Sequence, residues 1–418
     1  MAASGLPRVG EGHNRVAVEL PESASVLLDA VRFGAALMVV AGHVTFPSIG
    51  LGYTDRRFLG DAAVPLFFVV SGFVIRYVTR TRERTAREYF IDRASRIYSV
   101  VLPAMVWTLV AGAICYALDP ARFVWIFGPR FTHPVQRLVL NLTFLSQAWG
   151  RSTIPFNNAP FWTLGYECIF YLLYGFSFYL RGAKRVVWWM LTAVAIGPQV
   201  MFLFPIWWLG CGVYELYVRR TKWLTWLVVT LGGLWLAAGL GLLAMGWVWL
   251  LRAPMTLVRW VAGWPEPLGL MGLSHTRANM FAVAVAVVGA VMLFPLLLAM
   301  DFVRISGNGR WVRGLRFVAD GTFTVYLMHF PFLLVLAYAH VLRAGHLWGN
   351  VAVVAVMCLV LVGVAVPVDG FKRWLRRWLR RKLPAVQASL LSVERAVVES
   401  AGATGGRDEA GDGIDGTG

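Results

Sequence analysis

Residues 25–47, SVLLDAVRFGAALMVVAGHVTFP, form an apolar run long enough to cross a bilayer, yet they carry Asp29, Arg32 and His43. In a helix the eleven-residue step from Arg32 to His43 is about 1,100° of rotation, so both face one side roughly 16 Å apart along the axis. Asp29 lies on that side too. An ionisable group inside a membrane costs at least about 2.5 kcal/mol on insertion scales, so such a stripe normally faces a protein interior or a wet cavity. Snorkelling near the helix end is an alternative for Asp29 and Arg32, but anchoring gives no reason for an imidazole at His43.

Three other stretches carry comparable residues. FWTLGYECIFYLLYG places Glu167 about five residues inside Trp162, at a depth similar to His43, while Trp162 fits an interfacial belt at the edge of the substrate path. A carboxylate bonded to one imidazole nitrogen would fix its tautomer and leave the other to take a proton from a hydroxyl, so Glu167 is a candidate partner for His43. Two unrelated buried polar groups are the alternative. DGTFTVYLMHFPF sets His329 beside Pro331 and makes it a second, lower-ranked histidine with an expected place in substrate binding. RYVTRTRERTAREYFIDRASRIY brings Arg93 and Arg96 within one turn at a membrane boundary, an outline anion site for a phosphorylated donor; topology or anionic lipid is the competing use.

The elements that must position these residues are helices. Hydrophobic residues make up 58% of the 418 and charged residues 15%, with a mean hydropathy of +0.64, which excludes an ordinary water-soluble domain. Repeated apolar runs of about 20 residues favour helices over a barrel. Ten spans are expected, near 25–47, 62–79, 97–118, 160–180, 186–204, 206–218, 223–250, 279–300, 317–341 and 348–368; the run 135–149 reads as re-entrant or interfacial. The class is therefore all-α and polytopic. Lys and Arg number 24 in one alternating set of loops and 10 in the other, which places both termini in the cytoplasm. The net charge of +17 falls in short clusters between spans, a pattern of topology rather than of nucleic-acid binding. Cys115, Cys168, Cys211 and Cys358 lie in apolar runs without metal-ligand spacing, so neither a metal site nor a disulfide is expected. FKRWLRRWLRRK, residues 371–382, suits a helix at the inner headgroups, and the glycine-rich acidic end from residue 401 has little to bury.

Five stretches taken together resemble acyltransferase family 3, the membrane O-acyltransferases: LDAVRFGAALMVVAGH with Arg32 and His43, VPLFFVVSGFVI, RASRIY with Arg93 and Arg96, WTLGYECIFY, and VYLMHFP. The resemblance covers about residues 25–375. It implies transfer of an acyl group, commonly acetyl, from cytoplasmic acyl-CoA to a hydroxyl of a surface or exported glycan or its lipid-linked precursor, in a bacterial cytoplasmic membrane. It makes Arg32 and His43 essential and puts Arg93 and Arg96 on the donor side, with acyl-CoA as a substrate and no permanently bound cofactor. His43 would be the general base, although an acyl-histidine route is open. Relatives often end the last span with Glu-x-Pro, where this chain has Val368-Asp369-Gly370-Phe371, so Asp369 carries no inherited role. The chain divides into a cytoplasmic segment 1–24, the transmembrane acyltransferase domain 25–370, a basic interfacial helix and cytoplasmic tail 371–400, and an unstructured tail 401–418. No esterase-like domain is expected in that tail, so the protein either acts directly on its acceptor or passes the acyl group to a separate extracytoplasmic partner. Macrolide-like metabolites are further possible acceptors. The rival reading is a transporter or flippase of lipid-linked saccharides, whose path buried Arg, His and Glu would also line.

Overall fold

The computed structural model of the chain describes residues 19–52, 58–83, 85–221, 276–307 and 309–405, with 223, 225–227 and 230; side chains are described to residue 382, apart from 58, 129–130 and 276–281. Among the described residues there are helices and no strand. In chain order they are α1 Glu22–Val44, α2 Phe58–Thr81, α3 Ala86–Leu118, α4 Pro120–Phe127, α5 Pro134–Leu142, α6 Leu164–Tyr179, α7 Gly182–Ile196, α8 Pro198–Arg219, α9 Thr276–Ala299, α10 Arg310–Asp320, α11 Thr322–Tyr338 and α12 Leu347–Gly405.

Six of these are long and apolar enough to cross a membrane, and α10 with α11 makes a seventh if the bent pair is one span. The expected ten are thus met only in part. α6 has 16 residues, but the 3-10 turn Ala159–Thr163 leads directly into it. α7 has 15 residues, roughly 22 Å, short of a 30 Å hydrocarbon core. The fifth expected span ran on to residue 204, whereas the chain breaks at Gly197, whose φ of 79° an L side chain rarely adopts, and Pro198 then opens α8. Pro205, read as a boundary, lies inside α8. The run 223–250 falls almost wholly outside the described residues. The 135–149 run holds only the nine-residue α5, too short to span. Residues 371–382 continue α12 without a break, so the basic segment is an extension of the last span and not a separate helix. α12 also includes 401–405, the first residues of the segment read as unstructured; 406–418 lie outside the described residues.

α2 is the hub, packing on α1, α8 and α9, while α3 packs on α11 and α12. The α2–α8 crossing is set by two glycines. A Cβ at Gly72 would lie 2.0 Å from the Trp207 carbonyl oxygen, and one at Gly210 would lie 1.9 Å from that of Val69. With lipid tails outside, close backbone approach is a main source of helix association, and only glycine permits it here. Gly210→Ala is expected to cost about 3 kcal/mol or more and to lower the unfolding midpoint of the detergent-solubilised protein sharply. Gly212→Ala, where an added Cβ meets nothing within 4 Å, is the control that should unfold like wild type.

α3 is built to project past the membrane. Its 33 residues span about 50 Å, so about 20 Å exceed the hydrocarbon core. Thr85 caps it by accepting from the Glu88 backbone N–H at 3.2 Å, in the Thr-x-x-Glu pattern of a capping box. Its basic end is tied to the extension of α12, where Arg376 donates to Asp92 and Arg87 donates to the Arg380 carbonyl at 2.7 Å.

Candidate active site

Two imidazoles 286 residues apart meet in the interior. His43, next to last in α1, places Nδ1 2.9 Å from Nε2 of His329 in α11. On the far side, His329 Nδ1 lies 2.9 Å from the Val325 carbonyl oxygen one turn earlier. Both rings are buried, and Phe46 and Phe330 stand edge-on to His43 with centroids at 4.6 and 5.1 Å. His43 Nε2 makes no hydrogen bond among the described residues.

The helix carrying His329 depends on a repair. Pro331 has no N–H, so the Leu327 carbonyl loses its usual helical partner. Asn158 Nδ2 donates to that oxygen at 2.9 Å and to Thr108 Oγ1 at 2.8 Å, pinning the loop before α6 to both α11 and α3.

Near the dyad lies a cavity that opens to solvent, walled by α1, α2, α3, α6 and α11. Arg32, Arg96 and Glu167 all line it. Arg32 reaches its nearest carboxylate, Asp29, only at 3.9 Å, beyond hydrogen-bond range. Its side chain keeps 23% of its surface accessible although protein encloses it, because that surface opens on the cavity. The Arg96 guanidinium makes no hydrogen bond or ion pair among the described residues. Glu167 accepts from the Tyr171 hydroxyl one turn on and, at 3.4 Å, from Ser71 Oγ. Thr322 Oγ1, also on the wall, is buried without a partner among the described residues. Two guanidinium groups on the wall, Arg96 unpaired and Arg32 only loosely paired with Asp29, against the single cavity-lining carboxylate of Glu167 make the cavity a place for an anion. Tyr326 links it to the dyad: it lines the cavity, donates to Thr163 Oγ1 at 3.1 Å, and its ring centroid is 6.4 Å from that of His329.

The expected Glu167–His43 bond is not what the structure forms. Glu167 belongs to the cavity with Arg32, and the partner of His43 is His329. His329 itself is off the cavity wall, as is Trp162, which packs edge-on against Tyr166 at 5.6 Å. Arg93 and Arg96, expected to act as a pair, are separated by function. Three helical residues amount to about 300°, so the two side chains diverge by about 60°. Arg93 Nη2 donates to both Glu83 oxygens at 2.9 Å, and its guanidinium lies 5.1 Å from the Tyr89 ring centroid. Burial pushes the Glu83 carboxyl above its ordinary pKa while Arg93 pulls it back. Arg93 is therefore spent on an internal ion pair, and Arg96 alone faces the cavity. Sequence reading missed Glu83, Ser71 and Asn158. The Glu167–Tyr171 spacing of one turn was visible, and Pro331 announced a carbonyl in need of a donor.

These features define an integral multi-pass membrane protein with a buried imidazole pair separated by Tyr326 from a cationic cavity. The chain belongs to acyltransferase family 3, whose profile, described as an acyltransferase domain, matches residues 26–369. It is similar to acyltransferase MdmB of Streptomyces mycarofaciens, with 26% identity over 386 residues covering 82% of this chain and 88% of the relative. It is also similar to the exopolysaccharide production protein ExoZ of Rhizobium meliloti (strain 1021), with 25% identity over 340 residues covering 78% of this chain and 93% of the relative. No solved structure matches. The resemblance read from the five motifs is borne out.

Proposed function

We propose that the protein moves an acyl group, acetyl in the first instance, from cytoplasmic acyl-CoA to a hydroxyl of an exported or surface polysaccharide or its lipid-linked precursor. The observation that carries this reading is a buried His43 with one nitrogen bonded and the other open, beside a cavity lined by two arginines, neither of which has a carboxylate within hydrogen-bond range. Both termini are cytoplasmic on the balance of loop charge, and membership of the family supports a bacterial cytoplasmic membrane. The phosphates of the donor lie at the mouth near Arg96, Arg32 counters negative charge deeper in, and the thioester reaches past Tyr326 toward the dyad. His43 Nε2 takes the acceptor hydroxyl proton as the oxygen attacks the thioester carbonyl; the C–S bond breaks and the thiolate recovers that proton from His43. The exopolysaccharide role named for ExoZ supports a glycan acceptor.

The test is reconstitution in vesicles with labelled acetyl-CoA and an exopolysaccharide acceptor. Labelled ester in the glycan is the expected result. Movement of saccharide across the bilayer with no ester formed would establish the transporter reading instead.

A further inference from the structure

We infer that His329 is a positioning residue that locks His43 in its Nδ1–H tautomer and so makes Nε2 the base; this rests on the acyl-transfer reading. The direction of every proton follows from one atom that has none. The Val325 carbonyl can only accept, so His329 Nδ1 carries a hydrogen and donates to it. In the neutral ring the other nitrogen, Nε2, then holds a lone pair. It lies 2.9 Å from His43 Nδ1, which must donate. His43 Nε2 is left with a lone pair, and it is the nitrogen free of hydrogen bonds.

A doubly protonated His329 would reverse the middle bond and put the hydrogen of His43 on Nε2, removing the base. That state would bury a cation with no carboxylate bonded to either ring among the described residues, which burial strongly disfavours. The arrangement does what the carboxylate does in a serine-hydrolase triad, with a second imidazole and a peptide oxygen in its place. It also supplies a reason for the helix repair. Asn158 holds α11 in register across Pro331, two residues beyond His329, so the acceptor nitrogen stays where His43 can reach it.

The readout is the nitrogen-15 solid-state NMR spectrum of histidine-labelled protein in bilayers, with the His43 signals assigned by subtracting the spectrum of His43→Gln. The wild type is expected to show His43 protonated at Nδ1 and bare at Nε2, the rarer form of free histidine. In His329→Leu it should pass to the Nε2–H form. Turnover in that variant should fall by about 10²–10⁴-fold, with the KM for acetyl-CoA within about threefold of wild type. His329→Gln, whose Oε1 can accept at nearly the same point, should recover at least about tenfold over His329→Leu. An Nε2–H tautomer in the wild type overturns the proposal, and so does a His329→Leu variant that keeps the wild-type tautomer or turnover. The wild-type spectrum decides even if His329→Leu does not fold. If the tautomer is as expected but no ester forms with any acceptor, the functional reading fails and the tautomer lock stands.

Discussion

Replacing His43 by alanine should reduce ester formation by about 10³-fold while membrane insertion and the donor KM stay near wild type. The size follows from the role, since a positioned general base contributes about 10²–10⁴. The selectivity follows from the geometry. His43 is not on the cavity wall, the proposed donor site, so its loss removes a proton acceptor and leaves that wall intact. His43→Ala also leaves His329 Nε2 facing a void, but one neutral acceptor without a partner costs only about 1–3 kcal/mol, which a folded bundle can bear. Purified His43→Ala protein that acylates at near-normal rate would sink the mechanism.

The second large effect is a contrast between neighbours. Arg93→Gln should destabilise the protein by about 3–5 kcal/mol, because Glu83 would keep its buried charge without the guanidinium that holds it. Changing Glu83 to glutamine as well should restore much of the loss. Arg96→Gln, one turn away, should not lower the unfolding midpoint and should raise it slightly, since it removes one of two like charges that share the cavity without a bonded counter-ion. The penalty appears in binding instead. A lost charge-assisted bond to phosphate is worth about 1.5–3 kcal/mol, so the KM for acetyl-CoA should rise about 10- to 100-fold. Thermal unfolding with and without acetyl-CoA reads both effects, and a large drop in the midpoint of Arg96→Gln would refute its assignment as an unpaired cavity cation.

The parts of this protein legible in its sequence were those governed by local periodicity. An apolar stretch with Arg32 and His43 on one side implied a helix with a buried polar face, and α1 is that helix. What stayed hidden depended on distance along the chain. Nothing near His43 points to His329, and the closer-looking partner, Glu167, was chosen on depth alone, a coordinate that fixes height in the membrane but not direction around the helix. Arg93 and Arg96 looked equivalent because they share a motif, yet only the fold shows that one faces Glu83 and the other a cavity. The breaks at Gly197 and Gly321 were missed for a different reason. Pro205 and Pro331 drew attention as breakers, but a membrane helix tolerates proline when a neighbour such as Asn158 satisfies the freed carbonyl.

The glycine crossing of α2 and α8 also decides which wall of the cavity can move. With Gly72 and Gly210 each set against the other helix's backbone, those two helices can neither slide nor rotate past one another without collision. α2 supplies Val64, Phe67, Phe68 and Ser71 to the cavity, so that side is the fixed jaw of a vise. The opposite side, with Thr322, Phe323 and Tyr326, belongs to a helix that meets its predecessor at a 56° bend beside Gly321. Any widening of the cavity is therefore expected at that bend rather than along the α2–α8 seam.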